Sequence, residues 1–242
     1  VSIMTTNNIY GIWLNPASSG TNLNSGNINI YGNTIKNLTN SGTTTTSGFA
    51  VGIASNNVDT NTVFSIYNNK ISDIYANGST TSRAVGIGLY MSTTPNALVH
   101  LYNNMVSNLR APRATSNPSV RALDLQNAGG NGRFNVYYNS TYLTNDVPPT
   151  IAAHYSANLY WANFGTATLD MRNNILINTM TSQTGKAVNL YPSSNANYLR
   201  LDSTTNYNLY YVGAALDTTV GISWDAATLR KTLADHQAAV AT

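Results

Sequence analysis

Residues 63–75 read VFSIYNNKISDIY, and nearly the same phrase, LVHLYNNMVSNL, returns at 98–109. Anchored on its second asparagine, the phrase recurs at Asn33, Asn69, Asn104, Asn139 and Asn174, with spacings of 36, 35, 35 and 35 residues. A weaker sixth copy sits at Asn208. A fixed period of this length means that one supersecondary unit is stacked on copies of itself, which constrains the fold more than any other feature here.

A second phrase alternates with the first: IYGIWL at 9–14, AVGIAS at 50–55, AVGIGL at 84–89, ALDLQN at 122–127, ANLYW at 157–161 and AVNLYP at 187–192. Its flanking positions are apolar (Val51 and Ile53, Val85 and Ile87, Leu123 and Leu125), as in a strand with one buried face. Aligning the phrases predicts an outward column of Gly11, Gly52, Gly86, Asp124, Asn158 and Asn189. Each period then holds this strand, one before the Tyr and one after the Asn. A strand this short cannot bury its apolar face alone, whereas stacked coils bury all of them together. The expectation is an all-β, right-handed parallel β-helix of about six coils over residues 1–224. At about 4.8 Å per coil its regular part spans roughly 30 Å.

The repeated Asn suits the bend between two strands, where its side chain tolerates turn geometry and bonds nearby backbone. Stacked coil on coil, the amides of Asn33, Asn69, Asn104, Asn139 and Asn174 can form a ladder. A second ladder is expected at Asn37, Asp73, Asn108 and Asn178, broken by Leu143, and a stacked column at Tyr31, Tyr67, Tyr102, Tyr137 and Arg172.

The polar surface this requires is amide and hydroxyl rather than ionic. Charged residues make up 9% of the chain, against about 25% in ordinary domains. There are 36 Asn and no Glu. The net charge of +3 comes without a Lys/Arg run, so nucleic acid is not an expected partner. No Cys is present for a disulfide or thiolate site, and no apolar stretch is long enough for membrane insertion. The opening, VSIMTTNNIYGIWL, lies in the middle of a patterned segment, which suggests a piece of a longer polypeptide.

Variation concentrates in the linkers 39–48, 75–84, 110–122 and 144–150. Loops on a rigid scaffold commonly carry binding, and Arg110, Arg113 and Arg121 form the one cluster of positive charge, suited to an acidic glycan or phosphate. Glycoside hydrolysis needs two carboxylates about 5–9.5 Å apart. The strand columns offer Asp124, Asp73 and Asp170 singly, the last expected beside Arg200. His100, His154 and His236 share no metal-ligand spacing. The reading therefore assigns no catalytic residue, metal or cofactor. Sequons stand at Asn37, Asn77 and Asn139.

The pattern changes at WDAATLRKTLADHQAAV. Asp225 reads as an N-cap for a short helix over 225–240, with Leu229, Leu233 and Val240 on one face. Residues 225–242 then either cap the solenoid or form a lateral insertion before further coils.

The phrases IYNNKISDI, LYNNMVSNL and MRNNILINT resemble repeats of right-handed β-helix proteins of the pectate-lyase-like superfamily. More narrowly, TTNYNLYYVG followed by TLRKTLADHQAA resembles large secreted surface proteins of Bacteroidetes-type bacteria, although His236 stands where those carry Trp. The resemblance spans about residues 25–240 and implies export to the cell surface, with no catalytic residues to carry over. The favoured expectation is a structural or adhesive extracellular segment in contact with polysaccharide. The alternatives are a carbohydrate-active enzyme or carbohydrate-binding module of this fold, and a fibre subunit that self-associates end to end.

Overall fold

The computed structural model describes residues 8–14, 26–41, 48–58, 62–91, 97–115, 118–144, 154–181, 184–213 and 219–240. Three parallel sheets wrap a single interior, making an all-β parallel solenoid of about five full turns. Sheet A stacks Ile9–Leu14, Phe49–Val58, Arg83–Met91, Val120–Asn127, Ser156–Asn163, Ala187–Pro192 and Val220–Trp224, and the short Leu229–Arg230 closes it antiparallel. Sheet B stacks Gly26–Tyr31, Thr62–Tyr67, Leu98–Tyr102, Arg133–Tyr137 and Thr168–Arg172. Sheet C stacks Thr34–Asn40, Lys70–Ala76, Met105–Arg110, Ser140–Leu143, Ile175–Asn178 and Leu209–Val212. Asp59, Asp146 and Asp217 fall outside the described residues, as do parts of the variable linkers.

The period-two pattern fills the interior with registered columns. Ile53, Ile87, Leu123, Leu159 and Leu190 come from sheet A, Ile66, Leu101, Val136 and Met171 from sheet B, and Ile71, Val106, Thr141 and Leu176 from sheet C. All are essentially inaccessible to solvent. Thr141 is the discordant member, because its buried Oγ1 has no hydrogen-bond partner.

The asparagine ladder is present between sheets B and C. Asn69 Nδ2 donates to Asn104 Oδ1 at 3.0 Å and Asn104 Nδ2 to Asn139 Oδ1 at 2.9 Å. Asn139 and Asn174 continue the series, which ends on Asn208 Oδ1. The same Oδ1 atoms accept the backbone N–H of the preceding coil's Asn. Asn139 is fully buried, so its sequon is closed to modification. The residue before each ladder Asn is left-handed: Gly32 (φ 68°), Asn68 (57°), Asn103 (55°), Tyr138 (57°), Asn173 (55°) and Tyr207 (56°). Gly and Asn tolerate this conformation, whereas a bulky side chain there costs about 1–2 kcal/mol.

Four expectations need correcting. The first concerns sheet A, where Asp124 pairs with Gly88 and not with Gly86, a slip of two residues. Gly11, Gly52 and Gly86 turn inward at a break in the alternation. A Cβ on Gly52 would lie 2.6 Å from Ile71 Cγ2 and 2.7 Å from Gly86 O, so the close approach of coils demands glycine. Asn158 and Asn189 are buried as well, with Asn158 Nδ2 donating to Asn189 Oδ1 at 2.7 Å. The second concerns sheet C, where Asn37, Asp73 and Asn108 share a left-handed bulge and Asn108 Nδ2 donates to Asp73 Oδ1. Asn178 does not continue that ladder: it lies in ordinary strand beside Leu143 and bonds inward to Val188 O at 2.8 Å.

Third, the tyrosine column is interrupted. Tyr31, Tyr67 and Tyr102 stack at 5.0 and 4.7 Å, but Tyr137 donates its hydroxyl to Asp170 Oδ2 at 2.7 Å and is not stacked on Tyr102, while Arg172 lies 5.5 Å over the Tyr137 ring as expected. Fourth, the helix is Leu233–Val240, shorter than expected, because Asp225 caps a different element. Its Oδ1 accepts Ala227 N and Thr228 N, closing the hairpin that leads into Leu229–Arg230. Thr232 and Asp235 form the reciprocal capping box of the helix. Leu229 is therefore in strand and Leu233 half-exposed, while His236 is the buried helical side chain. His236 sits against Tyr198 and Tyr210, its Nδ1 3.1 Å from Ser223 Oγ.

Candidate binding face on sheet A

The corrected register puts Trp13, Ala54, Gly88, Asp124, Tyr160 and Tyr191 in one outward column of sheet A, with Tyr10, Val51, Val85, Arg121, Ala157 and Val188 in the next. Most of this outer face is nevertheless buried, because long side chains from its edges fold over it. Phe49 and Tyr10 pack on Val51, Ala54 and Val85, and Tyr155 and Tyr160 pack around Ala157, Val188, Tyr191 and Trp224.

At the first of these clusters the small residues Ala54 and Gly88 help to line a hollow of about 320 Å³. Tyr10 and Trp13, stacked at 4.4 Å, line it together with Phe49, Arg83 and Tyr90. Asn8, Asn56 and Gln126 add polar groups to the lining. Trp13 is 38% exposed, so its ring is available to a ligand.

The two arginines here differ. Arg121 was expected on an exposed loop, yet it lies in strand and is 2% exposed. Its Nη1 meets Asp124 Oδ2 at 2.8 Å, its Nε donates to Pro118 O, and its guanidinium lies 3.8 Å over the Tyr160 ring. Asp124 also accepts from Gln126 Nε2 at 2.9 Å and Tyr90 Oη at 3.3 Å, so its oxygens are fully engaged. Burial, and then Asp124, pushes the Tyr90 hydroxyl far up, keeping it a neutral donor.

Arg83 has no such partner. Its side chain makes no hydrogen bond among the described residues, its Nε is buried and unpaired, and its guanidinium lies 5.2 Å over the Phe49 ring. Burial, followed by the nearby positive Arg121, lowers its pKa. The hollow therefore combines aromatic walls, amide rims and one surplus guanidinium. That set can stack on a sugar ring and donate to a carboxylate or hydroxyl.

The other expected cations do not join this site. Arg110 Nε donates to Asn108 Oδ1 at 2.8 Å beside a shallow recess on sheet C, and Arg113 is exposed in a turn. The three arginines are neighbours in sequence, separated by the fold.

The remaining strand carboxylates are also occupied. Asp170 pairs with Arg133 and Arg172 on sheet B, not with Arg200 as expected, and Arg133 bridges on to Asp202. Burial alone would raise Asp170, but hydrogen bonds from Arg172, Tyr137 and Arg133 outweigh it and hold the carboxyl at about 2. A general acid needs the opposite shift. Among the described residues no group of three or more His, Asp or Glu could hold a metal.

Arg83, Tyr90 and Trp13 were missed in the sequence. The signal existed, since Arg83 and Arg121 each open a sheet A strand phrase, but the two-residue slip concealed which column they join. Compared with protein-family models, curated proteins and solved structures, the chain matches none.

Proposed function

We propose that this chain is a non-catalytic β-helical segment of an extracellular bacterial surface polypeptide, holding a saccharide against the outer face of sheet A. The observation that carries this reading is Arg83, half-buried in an aromatic hollow with its Nε buried and unpaired. A buried donor left unpaired costs about 1–3 kcal/mol, a cost that a ligand's oxygen atoms would remove. The surplus positive charge favours a sugar bearing a carboxylate. The solenoid supplies rigidity, and the resemblance to secreted surface proteins supports display outside the cell. Binding is favoured over hydrolysis because Asp124 and Asp170 are locked in ion pairs and stand on different sheets.

A glycan array probed with the purified chain tests this. The expected result is retention on acidic oligosaccharides, lost in Arg83→Ala and weakened in Trp13→Ala, with no release of reducing ends. Equal binding by Arg83→Ala, or cleavage of a bound glycan, would overturn the proposal.

A further inference from the structure

A second surface, independent of the sheet A hollow, lies on the outer face of sheet C. Three successive coils carry Tyr142, Ile177 and Tyr211 in one registered outward column and Ser140, Ile175 and Leu209 in the next. At the adjoining corner stand Tyr138 and Tyr207, with Asn173 in the coil between them. The patch has a tyrosine at each of its four corners and contains no charged residue. Tyr138, Tyr142, Tyr207 and Tyr211 are 60%, 46%, 79% and 55% exposed. No hydrogen bond or ring contact engages any of the four side chains among the described residues.

The backbone shows that two of these rings are placed against local preference. The corner position is left-handed in all six coils. Gly or Asn occupies it at Gly32, Asn68, Asn103 and Asn173, and Tyr at 138 and 207. A bulky residue in this conformation is a genuine outlier, and such strain concentrates at functional sites. Here it yields no compensating packing, since both rings stand in solvent. Alternate coils thus carry tyrosine where asparagine would be more stable.

The spacing identifies the partner. Tyr138 to Tyr207, and Tyr142 to Tyr211, are each two coils apart, about 9.5 Å along the solenoid axis. The disaccharide repeat of an extended β-1,4-linked glycan advances by nearly the same length. Exposed faces of alternate sugar rings in such a chain can then meet successive tyrosines. A second copy of this protein fits less well. Three coils by four residues give a footprint of about 200 Å², against roughly 800 Å² per partner in a stable interface. The absence of charge disfavours a charged polymer and matches a neutral one.

We infer that the outer face of sheet C is a docking platform for the surface of an uncharged, extended β-1,4-linked polysaccharide, laid along the solenoid axis on Tyr138, Tyr142, Tyr207 and Tyr211.

The test is co-sedimentation of the purified chain with microcrystalline cellulose and with β-chitin, using insoluble amylose as the α-linked control. Wild type is retained on a β-1,4 polymer and not on amylose. The double variant Tyr138→Asn/Tyr207→Asn binds at least about tenfold more weakly, while its Tm rises by about 2–4 °C per site as the corner strain is relieved. Because these substitutions stabilise the chain, lost binding cannot come from unfolding. The variant Tyr207→Trp retains binding, and Arg83→Ala leaves it unchanged, which separates this surface from the sheet A hollow. Absence of wild-type retention on either β-1,4 polymer overturns the inference, as does full retention by the double Asn variant. Concentration-dependent self-association in sedimentation velocity that disappears in the same variant would also overturn it, by showing a protein interface.

Discussion

Two adjacent residues at one corner obey opposite rules. The ladder position is Asn in all six coils, Asn33 through Asn208, and is buried in its middle four. The position immediately before it is exposed and changes from Gly to Asn to Tyr. Inside, each amide serves three coils. Asn104, for example, accepts from Asn69 with one atom and donates to Ile66 O and Asn139 Oδ1 with the other. No other side chain offers a donor and an acceptor at that length. Outside, the only constraint is a positive φ, which leaves the side chain free for another purpose. The lesson is that a solenoid fixes its interior columns and varies the columns next to them.

The largest expected effect breaks the inner column. Asn104→Ala removes four hydrogen bonds and strands buried partners on both sides, so it should cost about 3–5 kcal/mol. Since each coil contacts only its neighbours, the loss falls in the middle of the stack. Urea unfolding followed by circular dichroism should show an earlier and broader transition. Asn33→Ala, at the open end of the ladder, should cost clearly less. Equal costs would mean that the amides do not act as a chain.

A pH series sharpens the comparison, because carboxamides do not titrate between pH 4 and 7 while the buried histidines His154 and His236 respond to it. Burial, with Arg230 as a smaller cause, lowers His236 to about 4, and burial alone lowers His154 to about 4. In each case the unfolded chain binds a proton more readily than the folded one. Stability is therefore fully present above about pH 6.5 and is lost as pH falls towards 4, by at most about 3 kcal/mol per group. Melting curves of His236→Gln should be flatter over this window than those of wild type. An unchanged slope would mean that His236 does not carry the dependence.

The ladder was legible in the sequence because its residues recur at nearly constant spacing and must be identical to work. The core columns were legible for the same reason. What could not be read was the registration of sheet A. AVGI and ALDL look alike, but the inward glycines Gly52 and Gly86 break the alternation there. Simple period-two reasoning therefore puts Asp124 in the wrong column, while Arg121, read with the linker 110–122, belongs to the strand itself. A further buried amide contact, Asn127 Nδ2 to Asn163 Oδ1 at 2.7 Å, went unseen because only two coils share it. The helix start was misplaced because Asp225 serves a hairpin as readily as a helix, and only the packing of Leu229–Arg230 on sheet A decides between them. Arg83 acquires meaning only once its neighbours fold over it, and no pattern of spacing encodes that burial.

Thr141 tests the interior rule from the other side. It stands where neighbouring coils place Ile71, Val106 and Leu176, with its hydroxyl buried and unpaired. Thr141→Val exchanges that hydroxyl for a methyl of similar size and should stabilise the chain by about 1–2 kcal/mol, seen as a higher urea midpoint at unchanged m. A destabilised variant would show that the hydroxyl has a partner after all.

The smallest effect tests the outer column by itself. Asn103 occupies the left-handed corner at φ 55°, next to Asn104 in sequence but facing solvent. If backbone conformation is the only requirement there, Asn103→Gly should change stability by no more than about 0.5 kcal/mol, since glycine adopts this conformation without strain. Asn103→Ala should cost about 1 kcal/mol, because a Cβ without a compensating side-chain hydrogen bond is strained there. Thermal melts of the two variants side by side decide it. A glycine variant as damaging as Asn104→Ala would show that the outer position also carries contacts between coils, and the division between a fixed inside and a free outside would fail at the corner that defines it.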